Sequence, residues 1–143
     1  MAKYGTYAPS FRNTTNAYSR AKGGKREDLG GMYFRSRWEA NYARYLNWLK
    51  EQGEIKNWEY EPETFVFHGA TRGALSYTPD FVITEKDGAV VYHEVKGWMD
   101  SKSKTKLKRM EKFYPEIKIT VIDEPAYNAI KKFSALIPEW EGG

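Results

Sequence analysis

Asp87-Gly88 separates two runs of strand-forming residues, Tyr77 to Thr84 and Ala89 to Lys96. A turn dipeptide between two such runs commits this part of the chain to a β-hairpin. The loop length then decides which side chains meet, because a slip of one residue turns a strand over. A two-residue loop, Asp87-Gly88, sets Asp80 opposite Val95, on the wrong face to meet Glu94. A three-residue loop, Lys86-Asp87-Gly88, sets Asp80 directly opposite Glu94. Three-residue loops favour a left-handed residue at their last position, and Gly88 stands there. A bulge near Pro79 achieves the same result.

With that register, Pro79-Asp80 and Glu94-Val95-Lys96 become two acids and a lysine at one point. Glu94 and Lys96 lie two apart on a strand, so they share a face and stand ~7 Å apart along it, while Val95 faces the core. Metal-assisted phosphodiester cleavage needs such a set. Asp80 and Glu94 offer hard oxygen ligands to a divalent cation, Mg²⁺ above all, with several waters retained. The cation polarises the scissile phosphate and lowers the pKa of an attacking water. Lys96 orients that water or stabilises the charge that develops on phosphorus. Each string alone also reads as an ordinary turn opener and an ordinary alternating strand. Their combination favours the chemistry.

A helix over about 36–52 precedes the hairpin. Ser36 and Glu39 form a capping box, and Trp38, Tyr42, Tyr45, Leu46 and Leu49 recur at helical spacing. Glu39 is either a capping residue or a third carboxylate. Ile55 to Phe67 reads as a first strand that Pro62 bends or confines to an edge. Glu59, Glu61 and Glu63 alternate along it, exposed to solvent, with Glu59 or Glu61 able to approach the metal. Residues 102–113 return to helical periodicity, with Leu107, Met110 and Tyr114 facing in. Ile117 to Ile122 is a fourth strand, and Pro125 opens a last short helix. The order predicts an α/β fold, a mixed four-stranded central sheet flanked by helices. His93 falls on the face opposite Glu94 and reads as a core residue rather than a base.

The net charge is +4 over 143 residues, and it is unevenly spread. Residues 1–26 carry six Lys/Arg and no acid, and 100–112 carry six more against Asp100 and Glu111, leaving the rest net acidic. Two basic patches flanking an acidic body suit a polyanion. Residues 1–31 read as a basic flexible arm and 32–143 as the folded domain. Tyr4, Tyr7, Phe11 and Tyr18 in the arm can stack on bases, dock on a partner subunit, or pin the arm to its own domain. The absence of cysteine excludes a disulfide scaffold and thiol chemistry. No apolar run approaches the ~18 residues of a membrane span, and no signal peptide is evident, so an intracellular, cytoplasmic protein is expected. No P-loop or dinucleotide glycine pattern appears, so no small-molecule cofactor beyond a metal is expected.

These residues match a known pattern. Pro79-Asp80…Glu94-Val95-Lys96 resembles the PD-(D/E)XK nuclease superfamily. Phe34-Arg35-Ser36-x-x-Glu39, Trp58-Glu59-Tyr60-Glu61, Tyr77-Thr78-Pro79-Asp80-Phe81 and Glu94-Val95-Lys96-Gly97 look like successive motifs of phage endonuclease I type Holliday-junction resolving enzymes, and Leu136-Ile137-Pro138-Glu139-Trp140 is similar to their tail. The resemblance implies a restriction-endonuclease-like core, two Mg²⁺ or Mn²⁺ ions per site, and a homodimer cutting branched DNA, encoded by a phage and acting in a bacterial host. It implies Glu39, Asp80, Glu94 and Lys96 as catalytic, with metal ligands among Asp80, Glu94, Val95, Glu39 and Glu59. The residues expected on DNA are Arg20, Lys22, Lys25, Arg26, Arg35, Lys102, Lys104, Lys106 and Arg109. The first expectation is therefore a metal-dependent endonuclease selective for branched DNA. The alternatives are another nuclease of the superfamily, sequence-specific or acting in transposition or end processing, and a non-catalytic nucleic-acid-binding module of the same fold.

Overall fold

The computed structural model describes residues 22–142. The chain is α/β, with a mixed four-stranded sheet and, among the described residues, three α-helices. In chain order these are β1 (Gly24–Arg26), β2 (Met32–Phe34), α1 (Arg37–Glu51), β3 (Ile55–Tyr60), β4 (Phe65–Val66), β5 (Ser76–Tyr77), β6 (Phe81–Glu85), β7 (Val90–Val95), α2 (Ser101–Phe113), β8 (Ile119–Ile122) and α3 (Glu124–Lys131). Two compact units emerge among the described residues, one formed by residues 22–48 with 130–142 and one by Leu49–Ala129.

In the first unit, β1 and β2 pair antiparallel, Lys25 opposite Tyr33. Residues 22–31 therefore differ from the flexible arm expected of them. The physical reason is an ionic cluster built on the buried Arg26 and Arg44. Arg26 donates from Nε to Glu141 Oε2 at 2.6 Å and from Nη2 to Glu141 Oε1 at 3.1 Å. Arg44 on α1 grips Asp28 through two hydrogen bonds of 2.8 and 2.9 Å and reaches the same Glu141 Oε2 at 2.8 Å. Asn41 exchanges hydrogen bonds with the main chain of Glu141, both 2.9 Å. Bidentate pairing of this kind is the strong form of the ion pair. Arg20 and the aromatics Tyr4, Tyr7, Phe11 and Tyr18 lie outside the described residues. At the start of α1, Ser36 Oγ accepts from the N–H of Glu39 at 3.1 Å, the cap that the sequence predicts.

In the second unit the strand order is β3-β6-β7-β8, antiparallel except for the parallel β7–β8 pair. Helix α2 makes the crossover between those two parallel strands, as parallel pairing requires. It packs Leu107, Met110 and Phe113 against Phe65, Phe67, Tyr77, Tyr92 and Ile119. Trp58, Tyr60 and Phe81 form a second aromatic group, with ring centroids 5.8 and 5.3 Å apart. Two predicted strands are each broken in two. Ile55 to Phe67 divides because Glu61 adopts a left-handed φ of 50° before Pro62, which has no ladder donor. Tyr77 to Thr84 divides at Thr78-Pro79-Asp80. The detached ends pair with each other, Phe65 opposite Tyr77, in a separate two-stranded ribbon.

Candidate active site

The β6–β7 hairpin has the register that brings the acids together. Phe81 pairs with His93, Val82 with Tyr92, Ile83 with Val91 and Thr84 with Val90. The loop is Lys86-Asp87-Gly88, closed by Glu85 N–H to Ala89 O at 2.7 Å. Gly88 takes a φ of 93°, a conformation that costs a side-chain-bearing residue. Asp87 Oδ1 accepts the N–H of Ala89 at 2.9 Å and stiffens the turn. Extending this register by one residue sets Asp80 opposite Glu94.

At that point the backbone ladder ends and side chains replace it. The carboxylate of Asp80 accepts the N–H of Val95 at 2.9 Å. The carboxylate of Glu94 accepts the N–H of Asp80 at 3.2 Å and the hydroxyl of Tyr77 at 2.7 Å. The carbonyl of Asp80 accepts from Glu61 N–H at 2.8 Å, which gives the left-handed Glu61 a role in holding the acid. Asp80 is 0 % exposed, Glu94 7 % and Lys96 9 %, so all three are buried. Lys96 continues the parallel ladder, its N–H donating to Ile122 O at 3.0 Å.

The local field is negative. Burial first, and then the charges of Glu94 and Asp80, push the Tyr77 hydroxyl well above its ordinary value, so it stays a proton donor. Near the mouth of α2, burial pushes Asp100 up. The hydrogen bond from Ser103 and the charges of Lys96 and Lys106 outweigh that and hold it below the ordinary range. Two adjacent buried carboxylates repel one another, and a cation bound between them relieves that cost. Their hard oxygens fit Mg²⁺ or Mn²⁺. Among the described residues no three acids or histidines stand close enough to form a protein-only metal cage. Mg²⁺ commonly takes one or two carboxylates and keeps its waters.

The other predicted site residues are placed as follows. Val95 contributes its N–H to Asp80. Glu59 is exposed on β3 opposite Val82. Glu39 is buried on α1 in the first unit, its carboxylate 3.8 Å from Arg35. His93 is lowered to about 4 by burial, which fits a core histidine. Lys22, Lys25, Lys102 and Lys104 are exposed, and Lys106 is half-buried. Two expected phosphate contacts are engaged elsewhere. Arg26 is buried against Glu141, and Arg109 Nη1 donates to the carbonyls of Arg72 and, very closely, Ala74. Tyr77, which the sequence pattern does not single out as a site residue, also joins the site. Its place three residues before Asp80, across the broken strand, was the available signal.

A family described as "Protein of unknown function (DUF1064)" matches residues 20–129, well over half of the chain. The chain belongs to the DUF1064 family. The DUF1064 match spans Tyr77, Asp80, Glu94 and Lys96 and stops within α3, ahead of Glu141. No curated protein and no solved structure matches this DUF1064 member.

Proposed function

We propose that this protein is a metal-dependent DNA endonuclease, selective for branched DNA such as four-way junctions and acting as a homodimer. One observation carries the reading: Asp80 and Glu94 converge at the end of the β6–β7 ladder, held there by Val95, Tyr77 and Glu61, with the buried Lys96 two residues beyond Glu94 on the same strand path. Asp80 and Glu94 would hold Mg²⁺ or Mn²⁺ through oxygen, and the bound ion would polarise a phosphate and acidify an attacking water. The residues of the chain do the rest. Val95 and Tyr77 fix the two carboxylates, so little reorganisation is needed when charge develops. Lys96, two residues beyond Glu94, would supply the positive charge that orients the water and offsets charge on the phosphate oxygens. The exposed Lys102 and Lys104 of α2 supply phosphate contacts. The selectivity for branched DNA, the dimer and the role of Glu39 rest on the resemblance to phage endonuclease I. A dimer also suits a junction, in which two strands are cut symmetrically.

The test is incubation of junction, duplex and single-stranded DNA with the protein and Mg²⁺. Junction cleavage that Lys96→Ala abolishes is the expected result. No cleavage of any substrate, or cleavage indifferent to that substitution, overturns the proposal. Junctions and linear duplexes cut alike would leave the nuclease and remove the selectivity.

A further inference from the structure

Of the five tryptophans, Trp38, Trp48, Trp58 and Trp140 are half-buried, whereas Trp98 is 74 % exposed. Tryptophan is highly buried on average, so a ring left in water at one position of five calls for a reason. Trp98 follows Lys96 by two residues, which limits the Cα separation to about 7 Å. Its loop is pinned at both ends. Lys96 N–H is bonded to Ile122 O at 3.0 Å, and Asp100 caps α2 by accepting from Ser103 N–H at 2.7 Å. The exposed Lys102 and Lys104 follow on the first turn of that helix. An exposed aromatic ring on a loop anchored at both ends, with exposed lysines four and six residues further on, matches the way proteins bind unstacked nucleic-acid bases. The ring stacks on a base and the lysines meet the backbone.

We propose that Trp98 stacks on an unpaired base next to the phosphate held at Asp80, Glu94 and Lys96. This rests on the nuclease reading and narrows its substrate to DNA with a splayed or single-stranded nucleotide at the cut. A perfectly stacked duplex offers the ring only edges and backbone.

The test is a fluorescence titration with a single-stranded oligonucleotide and a duplex of equal length, with EDTA in place of divalent cation so that the DNA stays intact. Wild-type tryptophan emission should be quenched, more by the single strand. Trp98→Ala should lose most of that quenching and bind the single strand about 5- to 100-fold more weakly. Trp98→Phe, which keeps a ring, should bind within a few-fold of wild type. Quenching and affinity unchanged in Trp98→Ala overturn the inference. So does an oligomer that dissociates in light scattering while DNA affinity is unchanged, which would assign the ring to a protein contact. The nuclease reading fails separately. Trp98-dependent quenching without metal-dependent cleavage supports stacking and overturns cleavage. Cleavage by wild type and Trp98→Ala at equal rates does the reverse. No binding by the wild type overturns both.

Discussion

Asp80 and Glu94 are joined by an exchange in which each carboxylate accepts a backbone N–H from the other's strand. Glu94 Oε1 lies 3.2 Å from the N–H of Asp80, and Asp80 Oδ2 lies 2.9 Å from the N–H of Val95. An amide side chain can still accept such a bond but cannot bring the negative charge. Asp80→Asn and Glu94→Gln are therefore expected to fold with stability within about 1 kcal/mol of wild type. Each should lose cleavage by at least about 100-fold. Urea denaturation and a junction-cleavage time course check the two halves of this prediction.

Tyr77 touches Glu94 rather than the substrate. Tyr77→Phe leaves the ring in the Phe65–Phe67–Met110 core and removes one donor. The expected outcome is a loss of about 10- to 100-fold in metal affinity or activity. The cost in stability is about 1 kcal/mol. Raising the Mg²⁺ concentration should recover much of the activity, which a merely misfolded variant would not do.

Gly88 sets the register that the acids need. A Cβ there meets nothing within 4 Å, so any cost of Gly88→Ala comes from its φ of 93°. Thermal or urea denaturation should show a loss of about 1–2 kcal/mol. Gly88→Asn should lose less, since asparagine tolerates left-handed backbone.

Arg109 and Lys104 separate a structural cation from a phosphate-binding one. Lys104→Ala is expected to lower the slope of log affinity against log salt by about 1 while leaving stability unchanged. Arg109→Ala should do the opposite, because its guanidinium holds the carbonyls of residues 72 and 74. Parallel salt titrations and melting curves on the two variants check this.

The Arg26–Glu141–Arg44–Asp28 cluster gives the first unit an acid-sensitive clasp. The hydrogen bond from Arg44 holds Asp28 below its ordinary 3.8, opposed by burial. Burial pushes Glu141 up, but hydrogen bonds from Arg26 and Arg44 outweigh it and hold the group below 4.5. Folded values below unfolded ones mean that this stability is fully present above about pH 4.5 and is lost as pH falls through the folded values. Melting temperatures taken downward from pH 6 should fall more steeply below pH 4.5 for wild type than for the Asp28→Asn, Glu141→Gln double variant. The double variant should already melt lower at pH 6.

Features under short-range chemical control are legible in the residues themselves. Ser36 caps α1 because its hydroxyl lies three residues from the N–H it accepts. Gly88 fixes a three-residue loop, and that loop alone carries Asp80 to Glu94. The tertiary structure decided what depends on partners far along the chain. Arg26 reads as a phosphate contact in the sequence, whereas Glu141, 115 residues away, holds it in the fold. Arg109 sits in a basic run, yet it reaches the carbonyls of a loop more than 30 residues earlier. Tyr77 joins the site only because Phe65 pairs with it and turns the broken strand toward Glu94. Backbone preference acts over a few residues and leaves a local trace. The partner of a buried charge or hydroxyl is chosen by desolvation, which acts only once the chain has folded around it.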